Sequence, residues 1–321
     1  MPAINFAQQY VGPTIGGYPA PFDPRFIHSQ YPNALDVLTA HSRWNLTGYT
    51  QAFGGADFLK IGIVRKPLDQ FVSSFSYFYS RIKNKEALLK SRGCSGHPFL
   101  DVMQGELHKS INDYLEAQKS VDIADKPWAF RSLNHQSFDF NLPYKSLGSD
   151  LEIKNRLLEF DVVIVLERLH ESLIIMKSLL CMAWGDIVPY LKVRNAVKHS
   201  SAEQLLSRDE QEIVLRKLVK SDVKLYALAN EKLDNQISDF GENRMAKELE
   251  ILDHLIVLCK ENSDDEQCRP SNYDVSNRSL LKKSEEWAIQ DVAKAKDIEI
   301  VKDLMLKNGG SLCSWGEDGF L

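Results

Sequence analysis

The chain has 321 residues, 44% of them hydrophobic and 26% charged, which is enough apolar content to bury a full core with an ordinary share of charge. A formal net charge of −5 argues against a general polyanion-binding surface and hence against a nucleic-acid partner, so any basic groups that meet an anion must be local. The five cysteines (Cys94, Cys181, Cys259, Cys268 and Cys313) form no Cys-x-x-Cys pair and no ligand spacing with histidine, which argues against a zinc site.

Residues 1–57 read as loop-rich with short apolar runs. The glycine-rich stretch VGPTIGGYP at 11–19 has no lysine and runs into prolines, so it is expected to be a connecting loop and not a phosphate cradle. Phe58 to Val64 reads as a buried strand that stops near Arg65, because the proline at position 67 cannot continue a ladder but suits the first turn of a helix. From there Leu68, Phe71, Phe75, Phe78 and Ile82 recur as one helical stripe. Residues 83–109, with Gly93, Gly96 and Pro98, read as a variable loop, followed by a helix from Ser110 to Gln118 with a serine cap. A second apolar strand is expected at Val162 to Leu166 and a helix at about His170 to Met182, repeating the βα pattern of a parallel sheet. Cys181, in that apolar helical run, is expected in the core. Residues 202–260 read as mostly helical, 261–285 as a polar linker or mobile loop, and 286–308 as a further helix. The organisation is therefore a main α/β domain over 1–260, the linker over 261–285, and a C-terminal helical extension over 286–321.

The unit from Phe58 to Phe78 carries the chemistry. Ser73 lies eight positions after Arg65 and off the apolar stripe, so a hydroxyl and a guanidinium can converge on one oxyanion beyond the carboxyl end of the strand, where open α/β sheets bind ligands. The planar fork of an arginine donates two charge-assisted hydrogen bonds to a phosphate, and a serine adds a third. From spacing alone a solvated arginine in an ordinary strand-turn-helix unit is the competing reading.

IVRKPLDQFVSSFSYF resembles the segment with which Golgi carbohydrate sulfotransferases hold the 3'-phosphate of their donor, 3'-phosphoadenosine 5'-phosphosulfate. More narrowly the chain is similar to the galactose-3-O-sulfotransferase family, which includes the galactosylceramide (cerebroside) sulfotransferases. The likeness continues in order through GGYPAPF at 16–22, AHSRWN at 40–45, FDVVIVLERLHESLIIMKSLLCMAW at 160–184 and YLKVRNA at 190–196, and more weakly through LYALANEKLDNQI. The resemblance implies a P-loop-type sulfotransferase fold with a central parallel sheet and a helical C-terminal region. It implies transfer of a sulfuryl group to the 3-hydroxyl of a terminal galactose on a glycolipid or glycan, in the Golgi lumen or at its membrane; the sequence itself indicates no metal.

The family opens its catalytic domain with a strand, a Lys-Thr-His-like loop and a helix that grip the 5'-phosphosulfate, and its members carry one membrane anchor. Neither is recognisable here, so the first βα unit is expected to be missing and the chain to start downstream of an anchored N-terminus. An inactive glycan- or nucleotide-binding pseudoenzyme, or a sulfotransferase for another sugar, are the alternatives. Asn45 in NLT and Asn277 in NRS match the glycosylation acceptor pattern, which fits a lumenal protein.

By resemblance, Arg65 and Ser73 bind the donor's 3'-phosphate, and Lys192 and Arg194 reach a donor phosphate. His41 matches a histidine beside the acceptor and is the candidate base, since imidazole titrates near the operating pH. Arg43 and Trp44 are candidates for acceptor or donor contact, the indole for stacking on a sugar or for filling core. Glu167, with Glu171 at helical spacing, could orient acceptor hydroxyls, and Asp139 in SFDF resembles a segment near the acceptor. His135 and His170 read as surface histidines without a role.

Overall fold

The computed structural model describes residues 10–14, 21–24, 37–40, 42–55, 57–76, 115, 133–187 and 202–261. Among these, helices dominate and the strands form two small parallel pairs. The expectations for 83–109, for most of Ser110 to Gln118, and for 262–321 lie outside the described residues.

Strand β1 (Tyr10–Thr14) pairs in parallel with β2 (Val37–Ala40), so the stretch expected to be a loop contributes a strand. Its register shifts between Val11 and Thr14, around Gly12 and Pro13. Proline has no N–H to donate and glycine packs nothing, so a strand holding both is tolerated where pairing is interrupted. Helix α1 (Leu46–Ala52) follows.

Strand β3 (Ile61–Val64) stops one residue before Arg65, and helix α2 occupies residues 67–76 with Pro67 as its first residue. The Lys66 carbonyl accepts the first helical bond, from Gln70 N at 2.9 Å. Leu68, Phe71 and Phe75 are buried as the stripe requires, joined by Val72, while Phe78 and Ile82 lie outside the described residues. The strand itself is less buried than its apolar composition suggests. Gly62 and Val64 face inward, but Ile61 and Ile63 are 40% and 60% exposed. A run of apolar residues cannot by itself distinguish a strand covered on both faces from one covered on a single face.

Helix α3 (His135–Asp139) and helix α4 (Asp150–Leu158) lead into β4 (Val162–Val165), all four of whose residues are buried. β3 and β4 are parallel, with Ile61 opposite Val162 and Val64 opposite Val165. A short 3-10 turn (Leu166–Arg168) then turns the chain into helix α5 (Leu169–Leu180). Cys181 is exposed, not in the core: it takes a left-handed conformation (φ 50°) as the C-cap of α5, so the helix ends before the thiol can turn inward. Helix α6 (Trp184–Ile187), α7 (Ala202–Leu205), α8 (Arg208–Ile213), a π-helical turn (Val214–Leu218), α9 (Lys220–Phe240) and α10 (Glu242–Glu261) complete the described chain, in line with a helical 202–260.

The main core forms where β4, α5, α9 and α10 meet. On α9, Leu225, Ala229 and Leu233 recur every four residues and are fully buried, and they meet Val163 and Val165 of β4, Ile174 of α5 and Leu252 of α10 in one apolar cluster. A second cluster, around Leu68, Phe71, Val72 and Phe75 of α2 with Val214 and Leu218, seats α2. Among the described residues no helix is long and apolar enough to cross a membrane.

Candidate functional site

The carboxyl ends of β3 and β4 lie side by side because Val64 and Val165 are register partners. That edge presents Arg65 and Lys66 from one strand and Glu167 and Arg168 from the other. Two side chains lace the turn after β3 into place. The Gln136 amide accepts from Arg65 N at 2.6 Å and donates to Arg65 O at 2.9 Å. Glu167 accepts from Lys66 N at 2.8 Å. The Ser172 hydroxyl of α5 fixes the other strand end, accepting from Val165 N at 3.1 Å and donating to Arg168 O at 2.9 Å.

Arg65 is half-buried with both its peptide groups bonded, while its guanidinium makes no hydrogen bond or ion pair to any described residue. Among the described residues, three other arginines near this edge or its supporting helices are committed. Arg43 donates to Phe138 O at 3.0 Å and to Asn141 Oδ1 at 2.5 Å, with its guanidinium 4.3 Å above the Phe138 ring. Arg156 pairs with Glu159 at 2.8 Å, and Arg168 with Glu171 and Asp234, each at 2.6 Å. On α2, Ser74 and Ser76 are buried, Ser74 accepting from Gln70 Nε2 and Ser76 donating to Val72 O. Ser73 is only half-buried, and among the described residues its hydroxyl has no partner. Arg65 and Ser73 are therefore two uncommitted donors carried by one strand-turn-helix unit.

Glu171 is tied to Arg168 in an ion pair. Glu167 serves the Lys66 amide and also meets the Tyr226 hydroxyl, which burial first and this carboxylate second push above the usual tyrosine range. Trp44 is 9% exposed, its ring packed on Tyr49 and Phe160 and its Nε1 donating to Glu159 Oε2 at 2.6 Å. It is a core residue, and a sugar finds no open face on it. Arg43, spread over Phe138, joins the segment before α1 to α3, as does the bond from Trp44 N to Asp139 O. The Asp139 carboxylate lies 3.8 Å from His135 Nε2. His135 is only 15% exposed, so it is not the surface histidine expected, whereas His170 at 42% sits in the open beside Asp253. His41, Lys192 and Arg194 lie outside the described residues.

Behind the turn is a polar cluster that sequence reading missed. Asp222, in the first turn of α9, is fully buried; its Oδ1 accepts from Ser137 N and Ser137 Oγ, both at 2.7 Å, and its Oδ2 from Gln136 N at 3.1 Å. In return the Asn134 side chain, before α3, accepts from Ser221 N at 2.7 Å and Asp222 N at 3.3 Å at the start of α9. Each helix thus supplies the cap of the other, satisfying amides that a helix start leaves without partners. Burial pushes the Asp222 carboxyl up to about 6 against the opposing pull of these hydrogen bonds and of nearby His135. The signal in the sequence was slight: two polar side chains, Asn134 and Asp222, beside apolar stripes.

Among the described residues no group of three or more His, Cys, Asp or Glu side chains is placed to hold a metal ion. The surface depression lined by Ser149, Glu152, Asn155 and Arg156 shares no residue with the strand-end edge.

Compared with known proteins, residues 12–268 match the family model described as galactose-3-O-sulfotransferase. No curated protein and no solved structure matches the chain significantly.

Proposed function

The chain belongs to the galactose-3-O-sulfotransferase family, a family of sulfotransferases, and from that premise we propose that it binds 3'-phosphoadenosine 5'-phosphosulfate at the end of β3 and transfers its sulfuryl group to the 3-hydroxyl of a terminal galactose. The observation that carries this reading is the half-buried Arg65, its backbone held at both peptide groups and its guanidinium without a partner among the described residues. A cation fixed in place but not neutralised suits a dianionic 3'-phosphate, with the Ser73 hydroxyl as a further donor. In this reading β3 and β4 belong to the central sheet of a P-loop-type sulfotransferase fold, and Lys192 and Arg194 add charge to the donor site.

In the reaction, the galactose 3-oxygen attacks sulfur in line as the bond from sulfur to the 5'-phosphate oxygen breaks. The hydroxyl proton passes to a base, for which His41 is the candidate, and adenosine 3',5'-bisphosphate leaves with the bonding electron pair. The demands on the protein are those of phosphoryl transfer: align the two oxygens and stabilise the negative charge that develops on the leaving side. Asp139, close to the Arg43 and Phe138 junction, belongs on the acceptor side of the proposal. The acceptor is a galactosylceramide-like glycolipid or a glycan, and the compartment is the Golgi lumen or its membrane.

Calorimetric titration with adenosine 3',5'-bisphosphate tests the donor site. Losing charge-assisted hydrogen bonds worth about 1.5–3 kcal/mol, Arg65→Ala should bind roughly ten- to a hundredfold more weakly, and Ser73→Ala several-fold more weakly. Unchanged affinity in a folded Arg65→Ala protein would overturn the assignment. Sulfate transfer to a panel of galactose-terminated acceptors then separates an enzyme from a protein that binds the nucleotide without turning it over.

A further inference from the structure

We infer that Gln136 is a positioning residue for the anion site at Arg65, acting through the main chain of Arg65, with Asp222 holding Gln136 in turn. The inference rests on the donor-site reading and extends it to residues that touch no substrate. Arg65 lies just beyond the ladder between β3 and β4, where among the described residues its N–H and C=O have no strand to pair with. The Gln136 amide takes the place of a strand neighbour, accepting from Arg65 N at 2.6 Å and donating to Arg65 O at 2.9 Å, as the opposite residue of an antiparallel hydrogen-bonded pair would, although β3 and β4 themselves are parallel. Both torsions that aim the arginine side chain are thereby fixed on either side of its Cα.

The clamp is itself held. Gln136 N and Ser137 N both donate to the Asp222 carboxylate, and Gln136, Ser137 and Asp222 are 6%, 0% and 1% exposed. A buried glutamine is costly unless its amide is satisfied. Here its donor and acceptor are both spent on one residue, and that residue has the uncommitted guanidinium. A chain of contacts therefore runs from the first turn of α9, through the start of α3, to Arg65. A guanidinium on a wandering turn would lose the alignment that makes a forked phosphate contact strong, because such bonds weaken steeply with angle.

The test compares affinities for adenosine 3',5'-bisphosphate and adenosine 5'-monophosphate, which lacks the 3'-phosphate, in the full chain. Gln136→Met keeps the length of the side chain and removes both bonds to Arg65. The preference for the bisphosphate should fall about tenfold in this variant, as expected for one misaligned charge-assisted contact. The double variant with Arg65→Ala should lose no more preference than Arg65→Ala alone, since the two residues act on one contact. Gln136→Asn, whose shorter amide cannot reach both groups, provides the same readout should Met impair folding. Equal weakening of both nucleotides, or an unchanged preference, in a folded Gln136 variant would overturn the inference while leaving the donor site intact. Unchanged preference in Arg65→Ala would overturn the donor-site reading, and the inference with it.

Discussion

Asp222 is the residue where fold and site are most tightly joined. Its carboxylate accepts three hydrogen bonds, so Asp222→Asn must turn an amide N–H toward either Gln136 N or Ser137 N, setting donor against donor. We expect this variant to lose roughly 1.5–3 kcal/mol of stability in urea denaturation, the range for hydrogen bonds to a charged group. The wild-type pH dependence follows from a folded pKa of about 6 against an ordinary value of 3.8. The folded state then holds more protons than the unfolded one between these values, so this group's contribution is greatest below about pH 4 and declines as pH rises to 6, with no further change above. A stability series from pH 4 to 7 should show that decline, against whatever background the other carboxylates impose, and Asp222→Asn should lack it. The place of Arg65 at a strand end was legible in the sequence, from the apolar run before it and the proline two residues on. Gln136 was not, because its partner is a backbone 71 positions away and no local pattern encodes such a pairing.

At the scale of elements, the strand-turn-helix unit and the second βα unit could be read from periodicity and the position of Pro67. The inner face of β3 could not. Gly62 is buried where Phe140 and Phe160 approach, and an added Cβ would lie 2.9 Å from Phe140 Cζ and 3.2 Å from Phe160 Cδ1. Gly62→Ala should therefore cost about 1–3 kcal/mol by overpacking, measured by chemical denaturation. The small residue and the two rings are far apart in sequence, which is why the strand's single covered face was hidden. Helix starts are plainer. Ser149 caps α4 by accepting from Glu152 N at 3.1 Å, and Ser149→Ala should lower stability by about 1 kcal/mol.

At the scale of the whole molecule, α9 organises the described chain, since one helix supplies both the centre of the main apolar cluster and the carboxylate behind the strand-end turn. Leu233→Ala, at a position with no exposure, should cost about 2–5 kcal/mol and show as an earlier unfolding transition. The helical stretch was visible from its leucine spacing, whereas its service to Arg65 depends on how distant segments meet. The lacing of the turn after β3 also has a kinetic side. The amide hydrogens of Arg65 and Lys66 belong to no strand, yet each is held by a side chain from another element, Gln136 of α3 and Glu167 after β4. They should exchange with deuterium far more slowly than a turn ordinarily allows, and through separate openings, so that loosening α3 exposes the first while the second stays protected.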